Sequence, residues 1–343
     1  MAAIRHRLRL ASSLCVVVCS ELSCREGRRP PVANTLVEEL YLGRDPMLSP
    51  LPDEKPQDFD RGMTHVSHRD IDMVLSSAVQ PVSFWLELGA FEGGSAILTA
   101  QRVNLHGLNT SVVAVDTFLG DAHVIWERTR EERLRKNLLR PDGTVALYDR
   151  FRSNVHDAGL QMCILPLPAT SVVALKLVAS LAARHVTPLP QVIYLDSAHE
   201  GGEVLLELRL AWKALSPGGI LFGDDWVFAA GDNCVQEDVL KFAAEVEADL
   251  DDDLGKEVQD LRTLGRVRAG VFVSYQSFQW FMRKRLVAQA EATRDRADPG
   301  SGYSCWSDGF DAKLCCDEKK YGPGGFRNCW DLVFTFESCC KNS

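Results

Sequence analysis

The chain has 343 residues, 46% of them hydrophobic and 25% charged, which is enough apolar content for one large buried core with appendages. A net charge of −9 and a pI near 5.5 leave no basic footprint, which argues against nucleic acid or an anionic membrane surface as the partner. Eleven cysteines are unevenly spread: Cys15, Cys19 and Cys24 near the start, Cys163 and Cys234 in the middle, and six in the last 39 residues.

The first 26 residues fit a targeting segment. Arg5, His6, Arg7 and Arg9 precede a short apolar run from Leu10 to Cys19. That run is too short for a bilayer, which needs ~20 apolar residues, so no stable membrane span is expected. A secretory signal is the main reading, and an organellar transit peptide is the alternative because the first 20 residues carry Arg and Ser and no acid. Asn109-Thr110-Ser111 is a glycosylation sequon. Residues 27–80 read as a linker and N-terminal cap: 27–62 are rich in Pro, Gly and charge, and Ile71 to Val79 has helical spacing.

A regular alternation fills residues 81–285. Short apolar runs at 83–88, 111–115, 162–165, 191–195 and 220–222 predict buried strands. Between and after them, 95–105, 127–139, 147–158, 171–184, 202–215 and 234–248 have helical patterns, and 271–275 predicts a late strand in an antiparallel hairpin at the sheet edge. Strands alternating with helices predict an α/β fold with a Rossmann-like, doubly wound, mostly parallel sheet. In such sheets a ligand sits beyond the carboxyl ends of the strands. Asp116, Asp196, Asp224, Asp225 and the glycines after Leu88 all fall there.

The segment Leu86-Glu87-Leu88-Gly89-Ala90-Phe91-Glu92-Gly93-Gly94-Ser95 ends a strand and opens a helix. Gly89 permits a sharp turn, Gly93 and Gly94 permit close approach of a ligand, and Ser95 is placed to cap the helix. Its Gly-x-x-x-Gly spacing is not that of a pyrophosphate binder and suits a nucleoside bearing a cationic amino-acid chain. Asp116, 27 residues after Gly89, can accept both ribose hydroxyls. The plain alternative is a glycine-rich turn and a strand-end aspartate without ligand.

These residues, with Val115-Asp116-Thr117-Phe118-Leu119-Gly120-Asp121, Tyr194 to Glu200, Pro217-Gly218-Gly219 and Gly223-Asp224-Asp225, resemble class I methyltransferases over about 200 residues. The branch is the one with macrolide-sugar O-methyltransferases and proteins named cephalosporin hydroxylase. The resemblance implies S-adenosylmethionine as cofactor, with Glu87, Gly89, Ala90, Gly93, Ser95, Asp116 and Thr117 around it.

Asp196 ends one strand and Asp224-Asp225 the next. Adjacent strands lie ~4.8 Å apart, so the three carboxylates can converge. They suit a hard cation such as Mg²⁺, which can bind an acceptor hydroxyl and lower its pKa. Relatives with a metal carry acids after these same strands, some with Glu-Asp or His-Asp where this chain has Asp-Asp. His199 is placed to take the acceptor proton as general base; a solvated loop histidine is the alternative. Asp121, His123 and Trp126 are candidates for the acceptor side, and Asn154 for the adenine side.

After a charged linker at 286–300, residues 301–343 repeat themselves. Cys305-Trp306-x3-Phe310-x4-Cys315-Cys316 recurs 24 residues later as Cys329-Trp330-x3-Phe334-x4-Cys339-Cys340. Each unit is too small for a core, so disulfides are expected to hold it, with a zinc site as alternative. The tail resembles Cys-Trp…Cys-Cys segments of marine algal and dinoflagellate proteins. Cys163 and Cys234 lie far apart in sequence and need not pair with each other. Together these features predict an O-methyltransferase acting on a sugar or small-molecule hydroxyl in the secretory pathway. The alternatives are a hydroxylase on the same fold and a non-catalytic binding protein. No two-His-one-carboxylate iron set is evident in the middle domain. Oligomeric state is not legible.

Overall fold

A computed structural model of the chain describes residues 24, 27–51, 65–120, 125–126, 132–227, 234–252, 254, 264–286, 312–322 and 340. The targeting segment (Cys24 apart), Asp121, His123, and all of the tail except 312–322 and Cys340 lie outside them. None of the described helices is long and apolar enough to cross a membrane.

Eight strands form a single sheet in the order β3-β2-β1-β4-β5-β8-β7-β6. The five predicted apolar runs become β1 (Phe84–Leu88), β2 (Ser111–Asp116), β3 (Ile164–Pro168), β4 (Val192–Leu195) and β5 (Ile220–Gly223). All five run parallel. The late strand is β7 (Val271–Ser274), and it pairs antiparallel with both β6 (Leu264–Arg268) and β8 (Trp280–Arg283). The β8 strand in turn lies antiparallel to β5. Neither β6 nor β8 is readable from pattern: β6 is Leu-Gly-Arg-Val-Arg, and β8 ends in Arg283. That arginine is buried only because Asp251 and the Ser77 carbonyl accept from it at 3.1 and 3.0 Å.

Successive side chains of a strand point to opposite faces, so each parallel strand feeds two cores. Phe84, Leu86, Leu88, Val113, Val115, Ile193 and Leu221 pack under α1 (Pro31–Tyr41), α6 (Ser171–Ala183), α7 (Glu203–Ala214) and α8 (Val235–Glu245). Trp85, Val112, Ala114, Val192, Tyr194 and Phe222 pack on the other face, under α2 (His68–Ser77), α3 (Gly94–Leu105) and α5 (Leu147–Asp157). Each such fully buried large side chain contributes roughly 1.5–3 kcal/mol. The charged helix α4 spans Glu132–Leu138, and residues 127–131 of its expected range lie outside the described residues.

The stretch read as linker or irregular cap contains the regular helix α1. Pro31 begins it, where a missing N–H costs nothing. Ala33 N–H donates to Ser111 Oγ at 2.9 Å, and Tyr41 O–H to the Pro166 carbonyl at 2.6 Å. That same Ser111 completes the sequon and is buried in β2, while Asn109 Oδ1 is buried with no partner among the described residues. The folded chain therefore presents Asn109 poorly as a glycan site.

Cys163 does pair, and its partner is Cys24, Cα–Cα 5.2 Å away and 139 residues distant in sequence. Arg29 reinforces this tether, donating to Asp45 Oδ2 at 2.7 Å and to the carbonyls of Gln161 and Ile164 at 2.9 and 3.2 Å. Cys234 remains a thiol. In the tail, Cys316 pairs with Cys340, Cα–Cα 5.8 Å, which joins the two repeat units at equivalent positions. Cys315 is also disulfide-bonded, and short helices occupy Ala312–Cys315 and Glu318–Tyr321.

Because a disulfide closing so long a loop restricts the unfolded chain, it should contribute about 2–5 kcal/mol. Cys163→Ser is expected to lower unfolding stability by that amount, with the transition still cooperative. Reductant should then shift wild-type unfolding and leave a variant lacking both Cys24 and Cys163 less affected, as read by urea titration at 222 nm.

Candidate active site

The strand order reverses direction between β1 and β4, and there the backbone of Gly89 lies against that of Asp196. Gly89 has φ +88°, and a Cβ on it would stand 1.8 Å from the Asp196 carbonyl oxygen. Only glycine fits. The N–H groups of Gly89 and Ala90 donate to the Val115 carbonyl at 2.9 and 3.1 Å, which ties the loop to the end of β2. Gly93, at φ +93°, is the residue that caps α3, with its side pressed to within 3.0 Å of the Phe151 ring.

Ser95 does not cap the helix as expected. Its hydroxyl donates instead to Glu87 Oε1 at 2.6 Å. Both are buried, and Glu87 Oε2 has no hydrogen-bond partner among the described residues. Burial, opposed by the Ser95 hydrogen bond and aided by the Asp116 charge, pushes the Glu87 carboxyl up to about 8. Neighbouring Glu92 is pushed up to about 7, by burial against the pull of Arg150.

Asp116 binds loops as well as being placed for a ligand. Its Oδ2 accepts from Phe91 N–H at 2.8 Å and its Oδ1 from Phe118 N–H at 2.6 Å. Each carboxylate oxygen can accept a second hydrogen bond. Phe91 and Phe118 both have positive φ, 44° and 56°, which side chains rarely adopt. Asn154, expected on the adenine side, is fully buried and donates to the Glu92 carbonyl at 2.8 Å, so it supports the loop from behind. Thr117 is exposed and accepts from Leu119 N–H at 3.2 Å. Trp126 is exposed and donates to the Leu119 carbonyl at 3.1 Å.

The second constellation forms one cluster. His199 Nε2 lies 2.7 Å from Asp225 Oδ2 and 4.0 Å from Asp196 Oδ1, and Tyr194 O–H donates to Asp196 Oδ2 at 3.3 Å. Asp225 is at φ 63°, and its N–H donates to Asp224 Oδ1 at 2.7 Å. Burial together with the charges of Asp224, Asp225 and Glu87 holds the Asp196 carboxyl well above the usual carboxylate range. Burial and the Asp225 charge raise Asp224 to about 6. A concavity opens among Asp196, His199, Glu207, Asp224, Asp225 and Trp280.

Two members of this site were invisible to pattern. Glu207, within α7, accepts from Ser171 and from Ser197 Oγ (2.8 Å) and so steadies the loop after β4. His65, far upstream, brings Nδ1 to 3.3 Å from Asp224 Oδ2. The carboxylates thus have two histidines beside them, where the middle domain alone holds one. A lone sequence offers no signal for a contact across 158 intervening positions.

Chemically the edge has two halves. Around β1 and β2, an orphaned buried carboxylate oxygen and a glycine turn fit a cationic, ribose-bearing ligand. Around β4 and β5, three carboxylates and imidazole nitrogens fit a divalent cation, with one oxygen or nitrogen each from Asp196, His199 and Asp225 within 4.8 Å of one another.

A methyltransferase-domain family matches residues 86–226. No curated protein matches the chain. Among solved structures, an O-methyltransferase from Bacillus cereus in complex with S-adenosylhomocysteine is 14% identical, covering 76% of this chain and 99% of its own, at a TM-score of 0.39. The O-methyltransferase TomG from Streptomyces achromogenes, in complex with S-adenosylmethionine, is 16% identical, covering 78% and 100%, at 0.40. The O-methyltransferase NovP is 17% identical, covering 64% and 79%, at 0.39. Residues 86–226, which hold the parallel strands β1 to β5 and the glycine loop at the switch point of the sheet, are thus similar to a methyltransferase-domain family.

Proposed function

We propose that the protein is an S-adenosylmethionine-dependent O-methyltransferase acting on a sugar or small-molecule hydroxyl, assisted by a divalent cation. The observation that carries the cofactor half is the buried Glu87 oxygen without a partner, beside a turn that only glycine can make. An ammonium group satisfies that oxygen, and Asp116 accepts from ribose hydroxyls. The carboxylates Asp196, Asp224 and Asp225 would hold the cation, whose contribution when bound is to acidify an acceptor hydroxyl.

The residues do the rest. Asp225 accepts from His199 Nε2–H and so fixes the ring tautomer that leaves Nδ1 basic. That nitrogen is placed to take the acceptor hydroxyl's proton; S-adenosylmethionine, when bound, would supply the methyl group and leave as the neutral thioether S-adenosylhomocysteine. Glu207 and Ser197 keep the His199 loop in place. The half-enclosed concavity limits water around the reacting groups.

The Cys24–Cys163 and Cys316–Cys340 bonds support an oxidising compartment, so we place the protein in the secretory pathway. The cysteine-rich tail is a separately stapled unit that cofactor binding does not need. A second reading, a hydroxylase on the same fold, draws support from His65 and His199 flanking carboxylates. Calorimetric titration with S-adenosylmethionine separates the two. Heat of binding at one site supports methyl transfer, and its absence in folded protein removes that function.

Asp116→Ala is expected to weaken cofactor binding by roughly 1.5–3 kcal/mol for each lost hydrogen bond. Gly89→Ala should abolish binding, whereas Asp196→Asn should spare it, since Asp196 serves the acceptor half.

Binding should also release protons. A cation beside Glu87 favours its charged form, so the raised pKa falls on binding. Affinity should therefore tighten from pH 6 to 7.5, and calorimetry in buffers of different ionisation enthalpy should register the released proton. Glu87→Gln should flatten this dependence.

Divalent-cation uptake runs in the same direction. Asp224 must lose a proton to act as ligand, so uptake should weaken as pH falls through about 6. Methyl transfer that survives exhaustive chelation would remove the cation from the mechanism.

A further inference from the structure

We propose that His65, from the segment that leads into α2, is a ligand of the divalent cation, and that the site therefore selects a first-row transition ion over Mg²⁺. This rests on the metal-assisted reading above and adds to it a residue from outside the matched methyltransferase domain.

The geometry comes first. His65 Nδ1 stands 3.3 Å from Asp224 Oδ2. One ligand atom each from His65, Asp224 and Asp225 lie within 4.8 Å of one another. Neighbouring ligands ~2.1 Å from an octahedral ion are ~3 Å apart, close to the 3.3 Å between His65 Nδ1 and Asp224 Oδ2. The triad shares Asp225 with a second group formed by Asp196, His199 and Asp225.

An ordinary surface ion pair does not account for how His65 is held. Its side chain is 68% exposed, and a pair so exposed contributes little. Yet the backbone around it is anchored by buried polar contacts. Val66 is buried in the core. Ser67 and Asp70 form a reciprocal capping box at the start of α2. Buried Asp70 also accepts from Ser277 Oγ at 2.9 Å, and Ser277 Oγ in turn accepts from the Ser274 hydroxyl at 2.8 Å.

Those serines belong to the β7–β8 turn, and the same turn holds the aspartates. The Phe278 carbonyl accepts from Trp226 N–H at 3.1 Å, and Trp280 Nε1–H donates to the Asp224 carbonyl at 3.0 Å. One hairpin thus bonds both the start of α2, just after His65, and the backbone on either side of Asp225. An imidazole nitrogen among the donors disfavours Mg²⁺, which demands oxygen, and favours ions such as Mn²⁺, Co²⁺ or Fe²⁺.

The test uses full-length protein stripped of metal and titrated separately with Mn²⁺ and with Mg²⁺. Equilibrium dialysis and electron paramagnetic resonance of bound Mn²⁺ are the readouts. Wild type should bind Mn²⁺ at least about tenfold more tightly than Mg²⁺, and His65→Ala should lose about 10- to 100-fold in Mn²⁺ affinity. His65→Asp, which restores an oxygen donor, should recover binding while shifting preference toward Mg²⁺, and nitrogen coupling to Mn²⁺ should diminish in both variants. Retained affinity for S-adenosylhomocysteine verifies that each variant is folded. Mn²⁺ affinity and nitrogen coupling indifferent to His65 would overturn this assignment alone. Uptake of neither ion by wild type would overturn it together with the metal-assisted reading.

Discussion

Five carboxylates converge on one edge of this sheet, and their mutual repulsion is the constraint that organises the domain's chemistry. Glu87 and Asp116 sit at the ends of β1 and β2; Asp196, Asp224 and Asp225 sit at the ends of β4 and β5. Burial and like charge raise Glu87, Asp196 and Asp224 together. An edge like this is costly to maintain with nothing bound, because desolvated charges repel at low effective dielectric. It would become favourable if positive charge arrived in two places, as the proposed function requires: an ammonium near Glu87 and a divalent ion near Asp225. The fold meets part of the cost internally, through backbone N–H groups on Asp116, the Ser95 hydroxyl on Glu87 and the Tyr194 hydroxyl on Asp196.

Backbone geometry follows from the same demand. Phe91, Phe118 and Asp225 all adopt left-handed φ, and each immediately follows or terminates a loop at a strand's carboxyl end. Such conformations cost of order 1–3 kcal/mol and persist where surroundings over-determine them. Here the gain is direction. The strained turns aim the Phe91 and Phe118 N–H groups at Asp116, and the turn at Asp225 brings its carboxylate to His199.

The parallel half of the fold was legible because its strands are buried on both faces and read as continuous apolar runs. The loop after Leu88 and the strand-end aspartates were legible for a related reason, since polar residues at the end of such a run break the pattern conspicuously. What pattern could not supply was anything joined across the chain. Strand β6 alternates charge with small residues, and β8 buries an arginine whose partners lie at Asp251 and Ser77. Helix α1 hides in a stretch whose Pro and Gly content suggests irregular chain, although Val32, Ala33, Leu36 and Val37 are spaced to face one side. His65 and Glu207 look like ordinary polar residues until the fold sets them beside the site. Ser95 fits a helix-cap pattern, and the buried Glu87 carboxylate takes its hydroxyl instead.

Cysteine placement separates two structural problems that the sequence runs together. The Cys24–Cys163 bond works with Arg29 to fasten the N-terminal arm to the start of β3, at the opposite end of the sheet from the carboxylates. It acts on a domain that already has a large core. The Cys316–Cys340 bond lies in a tail whose repeat units are each too short in sequence to bury a core, and it joins the last cysteine of one unit to the last cysteine of the other. The first bond therefore supplements hydrophobic burial, whereas the second substitutes for it. By that reasoning, losing the first bond would cost the domain stability, whereas losing the second would remove a main restraint on the tail.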